Sequence, residues 1–119
     1  MSENSVIVDI MNQLSGMSAK VIGPFLVFDI SRPYLATDLP TGKYGLEIVP
    51  EGKVTKPHAH DFISAYKALD LDIVSGGVKY ELPCMALVIV FPGTVHSWIL
   101  KVNNFGGVAS CDDRHERQE

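Results

Sequence analysis

Short apolar segments, each of strand length and each bounded by glycine, proline or polar residues, recur along this chain of 119 residues. They lie at 21–22, 25–30, 44–49, 63–74, 78–82, 86–91, 95–102 and 108–111. β-Branched and aromatic side chains are frequent in these segments, as they are in strands. About eight short strands with turn residues between them are typical of a sandwich or a barrel, so the sequence predicts an all-β domain.

The longest of these segments, 63–74, is open to a second interpretation. It contains residues such as Ala68 that suit a helix equally well. Gly76 and Gly77 follow it, and paired glycines are typical of a tight hairpin turn. Because the apolar segment 78–82 that comes next needs a strand to pair with, we predict one long strand over 63–74.

The length of the chain is suited to one domain. Residues 5–15 are predicted to form a short amphipathic helix, because apolar residues recur there at helical spacing and Gly16 follows as a stop. Strands are expected within 20–111, and residues 112–119 are expected to form a charged tail. We therefore predict a single domain over 1–119.

Composition narrows the classes of partner. Hydrophobic residues make up 46% of the chain and charged residues 20%, which are globular values. The net charge is −4 and the basic residues are scattered, so nucleic acid is not expected as a partner. No apolar run approaches the roughly 20 residues needed to cross a bilayer, so no membrane partner is expected. Cys84 and Cys111 are expected to be reduced thiols of a cytoplasmic protein.

Three of the four histidines lie in two short motifs, 52–60 and 91–96. Side chains two positions apart on a strand point to the same face, so His58 and His60 are expected to reach into one cavity. His96 follows a Pro-Gly turn and begins an apolar strand, from which it is expected to join them from across a barrel. Neutral imidazoles are common ligands of transition metals. The sequence therefore predicts a metal site.

Each of these residues also has a plainer interpretation. His58 and His60 would suit a solvated loop, and a lone His96 would suit a hydrogen-bonded core. Tyr66 is interpreted either as a phenol ligand or proton donor in the pocket, or as core packing. Trp98 is two residues from His96 and so shares its face, as a pocket wall or as core. Glu47 is the third candidate for the substrate pocket.

The two histidine motifs resemble those of the cupin superfamily, whose members are small β-barrels or jelly rolls. Gly52, His58 and His60 match the spacing of the first cupin motif. Gly93 and His96 match the second. Both motifs occur in the right order with a glycine hairpin between them, over roughly half of the chain.

The chain departs from the cupin pattern in four places, one of which is Phe91 at the first proline of the second motif. The glutamate of the first motif falls at Ser64 or Ala65, and neither supplies a carboxylate. In the second motif the opening glycine is Met85 and the closing asparagine is Leu100. Three neutral imidazoles leave a divalent ion with its full charge, which favours an anionic substrate such as a carboxylate.

The resemblance implies a cupin barrel or jelly roll, a double-stranded β-helix preceded by the short helix, that forms a homodimer. It implies one divalent transition metal (Zn, Fe, Ni, Mn or Cu) held by His58, His60 and His96. The ion would bind or transform a small polar or anionic molecule, as in dioxygenases, isomerases or lyases. The alternative is a non-catalytic ligand-binding or sensor cupin whose metal site has degenerated, and a third possibility is a purely structural or oligomerising barrel.

Overall fold

The computed structural model describes residues 10, 12, 14, 16–30, 42, 46–101 and 105–111, and over these ranges the fold is all-β. The strands are β1 (Lys20–Ile22), β2 (Phe25–Asp29), β3 (Leu46–Val49), β4 (Ser64–Leu69), β5 (Leu71–Ser75), β6 (Val78–Tyr80), β7 (Met85–Val90), β8 (Ser97–Leu100) and β9 (Gly106–Ser110). A six-stranded sheet has the order β1-β2-β7-β4-β9-β3, and a three-stranded sheet has the order β6-β5-β8. All pairings are antiparallel.

The two sheets pack face to face and do not close into a barrel within the described ranges. Their shared core contains residues of both sheets, among them Val27, Tyr66 and Val88 on the larger and Ile73 and Trp98 on the smaller. The all-β prediction is confirmed, whereas the expected closed barrel is not formed. Alternation of apolar and polar residues has the same period in both architectures, so it does not distinguish them.

Asp70 divides the chain between the two sheets. Its φ of 54° lies in the left-handed region, which aspartate tolerates better than most residues. Its N–H donates to the Cys84 carbonyl at 2.7 Å, and its carbonyl accepts from the Lys101 N–H at 3.0 Å. The prediction of one strand over 63–74 is therefore wrong: β4 ends at Leu69, and β5 begins in the other sheet.

The positive φ of Asp70 predicts that two substitutions at this position differ in their effect on stability. Glycine adopts this φ without a steric penalty, so Asp70→Gly is expected to leave the free energy of unfolding within about 0.5 kcal/mol of wild type or to raise it. Asp70→Val is expected to lower it by about 2 kcal/mol, because a β-branched side chain is strained there. Urea denaturation of the two variants measures the difference, and equal stabilities would contradict the strain argument.

The predicted glycine hairpin is confirmed. Gly76 and Gly77 have φ values of 58° and 78° and connect β5 to β6. Ser75 pairs with Val78 across the turn, so the loop has two residues. Positive φ at both central positions is the geometry that suits the twist of a hairpin.

A second apolar cluster covers the outer face of the larger sheet. Ile10 and Leu14 pack there with residues such as Phe28, Leu87 and Cys111. The Leu14 N–H donates to the Ile10 carbonyl at 3.1 Å, which is a helical hydrogen bond. Most of the helix predicted over 5–15 lies outside the described residues, and so does the charged tail 112–119.

Two expectations concern features other than the sheets. Neither Cys84 nor Cys111 takes part in a disulfide bond, as predicted. The part of the chain that the structure describes contains no helix long and apolar enough to span a bilayer.

Candidate metal centre

Backbone pairing brings the two histidine motifs together. His58 and His96 form an antiparallel bridge in which each backbone N–H donates to the other residue's carbonyl, at 3.1 and 2.9 Å. Residues paired in this way project their side chains to the same face. The His60 carbonyl extends the contact by accepting from the Gly93 N–H at 2.8 Å. His96 is therefore a direct neighbour of His58, and not a residue facing it across a barrel as the sequence suggested.

The three imidazoles form one cluster, as predicted. One nitrogen from each of His58, His60 and His96 lies within 4.8 Å of the others. The ring centroids are 4.4 Å apart for His58 and His96, 4.8 Å for His58 and His60, and 5.6 Å for His60 and His96. His96 is completely buried, whereas the other two are half-buried. The cluster thus has a fixed inner member and two members nearer to solvent.

Hydrogen bonds to backbone carbonyls orient two of the rings. His58 Nδ1 lies 3.1 Å from the Lys56 carbonyl oxygen, and His96 Nδ1 lies 3.0 Å from that of Thr94. A carbonyl only accepts, so in the neutral rings both Nδ1 atoms carry the hydrogen and both Nε2 atoms carry a lone pair. Histidines that ligate a metal are held in this way, with the second ring nitrogen donating to a carbonyl or carboxylate. The chemistry of the donor set therefore fits a metal ion.

The spacing of the cluster is somewhat wider than that of a loaded site. Bonds of about 2.0–2.1 Å to a tetrahedral zinc place neighbouring nitrogens about 3.3 Å apart. Compared with the 4.8 Å limit of the cluster, the rings would move together by up to about 1.5 Å. His58 and His60 are half-buried, so their side chains have more room to adjust to an ion than the completely buried His96.

Tyr66 contacts the cluster from β4 in the larger sheet. Its side chain is buried, and its hydroxyl oxygen lies 3.1 Å from His96 Nε2. Since that nitrogen carries a lone pair, the hydroxyl donates the hydrogen bond. The Tyr66 ring also packs against Trp98 with centroids 5.3 Å apart, and Trp98 belongs to the shared core. Both predicted pocket aromatics thus lie beside His96.

Glu47 is placed differently from the two aromatics. It is exposed on β3 at the edge of the larger sheet, in register with Val108 on β9. β3 and β4 are separated by β9, and strands lie about 4.8 Å apart, so Glu47 and Tyr66 are on the order of 10 Å apart. The role of Glu47 in a substrate pocket stays a prediction.

Ser64 is one of the two positions, with Ala65, where the cupin resemblance places a glutamate. It is completely buried, and alternation puts it on the Tyr66 face of β4, whereas Ala65 packs in the outer cluster. The Ser64 Oγ atom makes no hydrogen bond among the described residues. Over the same residues, no carboxylate joins the three histidines. The inner position thus carries a small hydroxyl in place of an acid.

Phe62 is a site residue that the sequence analysis missed. Its ring stacks on that of His60 with centroids 4.8 Å apart and an angle of 24° between the planes. The signal was present in the sequence, because Phe62 continues the every-second-residue series that starts at His58.

Scans of the chain against protein-family models and against curated proteins find no match. Any function proposed for the site therefore rests on the geometry and chemistry of the site residues themselves.

Proposed function

We propose that this chain is a small cupin-type metal protein in which His58, His60 and His96 hold one divalent transition-metal ion. The observation that supports it most directly is the convergence of three imidazole nitrogens within 4.8 Å of one another. The carbonyls of Lys56 and Thr94 add to this support, because they hold the hydrogen of two rings at Nδ1 and leave Nε2 as the lone-pair atom; in His96 that lone pair accepts from the Tyr66 hydroxyl.

Three neutral imidazoles suit Zn, Fe, Ni, Mn or Cu, with the remaining positions open to water or substrate. When bound, the ion supplies Lewis-acid activation of an oxygen atom on water or substrate. Its undiminished double positive charge favours a small anionic molecule such as a carboxylate. His58 and His60 are the more exposed members of the cluster, so we expect such a molecule to approach from their side. Dioxygenase, isomerase and lyase chemistry are the reaction classes we propose.

The proposal includes the cupin jelly-roll fold, a cytoplasmic location and a homodimer. Two packed antiparallel sheets and the order of the histidine motifs support the fold. Cysteines outside any disulfide are in keeping with the location. An edge strand with a highly exposed apolar residue, Val21 on β1, is in keeping with pairing between subunits.

Elemental analysis of untagged protein, purified without added metal, tests the proposal. We expect a near-stoichiometric transition metal in the wild type and its loss in the double variant His58→Ala/His60→Ala. His115→Ala is the matched control, because it removes the one histidine outside the two motifs, and it is expected to keep the metal. A wild-type protein that holds no metal and takes none up on titration would contradict the proposal.

The second candidate function is a non-catalytic module that binds or senses a small ligand. It is favoured by one observation: over the described residues, no carboxylate completes the histidine cluster. Under this alternative, ligand binding survives in the His58→Ala/His60→Ala variant. Under the metal-site proposal, metal and ligand binding are lost together.

A further inference from the structure

The hydroxyl group of Tyr66 approaches the histidine cluster from β4 of the larger sheet. Its oxygen lies 3.1 Å from His96 Nε2, the atom through which His96 would bind an ion. With metal–ligand bonds of about 2.0–2.1 Å, two adjacent donor atoms of one ion are about 2.9 Å apart in octahedral and about 3.3 Å apart in tetrahedral geometry. The separation of these two atoms therefore already matches that of neighbouring ligands.

An ion at the cluster changes what the Tyr66 hydroxyl does. In the metal-free site the hydroxyl donates to the Nε2 lone pair of His96. An ion bound to Nε2 takes that lone pair, and its positive charge repels the hydroxyl hydrogen and attracts the oxygen lone pairs. The tyrosine ring is buried and packed against Trp98, so it stays beside the ion and presents its oxygen.

We propose that Tyr66 is the fourth protein ligand of the metal, bound through its phenolate oxygen, and that it replaces the carboxylate missing from the cupin pattern. This inference rests on the proposed function. On ligation the oxygen–hydrogen bond breaks, the oxygen keeps the electron pair that it donates to the ion, and the proton passes to solvent. The anionic ligand lowers the charge that the three histidines leave on a divalent ion from +2 to +1, so the site stays positive, and it favours Cu(II) over softer ions.

Ser64 adds an independent observation at the same place. It lies two residues before Tyr66 on the same strand face, completely buried, and its Oγ makes no hydrogen bond among the described residues. Side chains two positions apart on a strand project from the same face, about 7 Å apart along the backbone. The inner face of β4 thus carries, besides the Tyr66 hydroxyl, a second buried hydroxyl that makes no hydrogen bond among the described residues.

The test is spectroscopic. Wild-type protein, Tyr66→Phe and Tyr80→Phe are loaded with Fe(III) or Cu(II), and their visible absorption and resonance Raman spectra are recorded beside the metal content. Tyr80 is the matched control, because it lies on β6 of the smaller sheet, where its ring packs edge-to-face on Phe25 at the core margin. A phenolate-to-metal charge-transfer band is expected in the wild type and in Tyr80→Phe, and it is expected to be absent in Tyr66→Phe.

Metal affinity provides the second readout. Loss of an outer-sphere partner alone weakens metal binding roughly 10–100-fold, so Tyr66→Phe is expected to weaken it at least about tenfold. A wild-type protein that binds the metal without the band would overturn the Tyr66 proposal and leave the three-histidine site standing. No metal uptake would overturn both. Ring-deuterated tyrosine shifts the Raman bands of any tyrosine ligand in the wild type. A band that persists in Tyr34→Phe, Tyr44→Phe and Tyr80→Phe then belongs to Tyr66, even where Tyr66→Phe fails to fold.

Discussion

Replacement of His96 by alanine is expected to abolish metal binding and also to lower the free energy of unfolding of the metal-free protein by about 3 kcal/mol. The side chain is completely buried, so its removal leaves a cavity. The substitution also removes a hydrogen bond to the Thr94 carbonyl and one from the Tyr66 hydroxyl. His96 is therefore both a ligand and a part of the core.

His58→Ala is the matched comparison for His96→Ala. It is expected to abolish metal binding as well, but to lower the stability of the metal-free protein by less than about 1 kcal/mol, because the ring is half-buried and bonds a carbonyl within its own loop. Urea denaturation in the presence of a chelator, together with elemental analysis, separates the two effects. Equal destabilisation by both variants, or metal retained by His96→Ala, would show that the roles are assigned wrongly.

Replacement of Lys101 by methionine is expected to lower the free energy of unfolding by about 2 kcal/mol. Lys101 Nζ lies 2.6 Å from Asp72 Oδ1, and the same oxygen accepts from the Leu82 N–H at 3.1 Å. The Asp72 side chain is 7% exposed and that of Lys101 21%, so the pair is largely shielded from water. Removal of the cation leaves a buried carboxylate with one backbone donor.

Two further variants determine whether the charge is responsible. Lys79→Met removes a lysine that is exposed on β6 and is expected to change stability by less than about 0.5 kcal/mol. Asp72→Asn in the Lys101→Met background removes the buried charge while its amide oxygen still accepts from Leu82, so it should recover about 1 kcal/mol. Chemical denaturation measures all three proteins. A Lys101→Met protein as stable as Lys79→Met would refute the expectation.

The histidine cluster was predictable because its members follow a simple rule. Alternation along an extended segment places His58 and His60 on one face, and the Pro-Gly turn before His96 indicates the start of another strand. The direct pairing of His58 with His96 was beyond the sequence, because register depends on which strands become neighbours. The contact of Tyr66 with His96 depends on the packing of two sheets and was beyond it for the same reason.

The division of the chain at Asp70 shows a different limit. Residues 63–74 have a continuous apolar character, and both parts are indeed strands. A single residue with positive φ sends the second part into the other sheet, and aspartate occurs in many conformations besides this one. Local propensity therefore predicts well which residues form strands. It does not predict to which sheet each strand belongs. For the same reason, the sequence did not reveal that the two sheets stay separate over the described residues and do not close into a barrel.

The hydrogen bond from Tyr66 to His96 joins the two layers of the fold, because β4 belongs to the larger sheet and His96 directly precedes β8 of the smaller sheet. An ion bound by both Tyr66 and His96 would cross-link the two sheets. A ligand that binds only the folded state adds to its stability, by about 2.7 kcal/mol when present at a hundred times its dissociation constant. The concentration of available metal would then determine how well the protein resists unfolding and proteolysis, as well as whether its site is active.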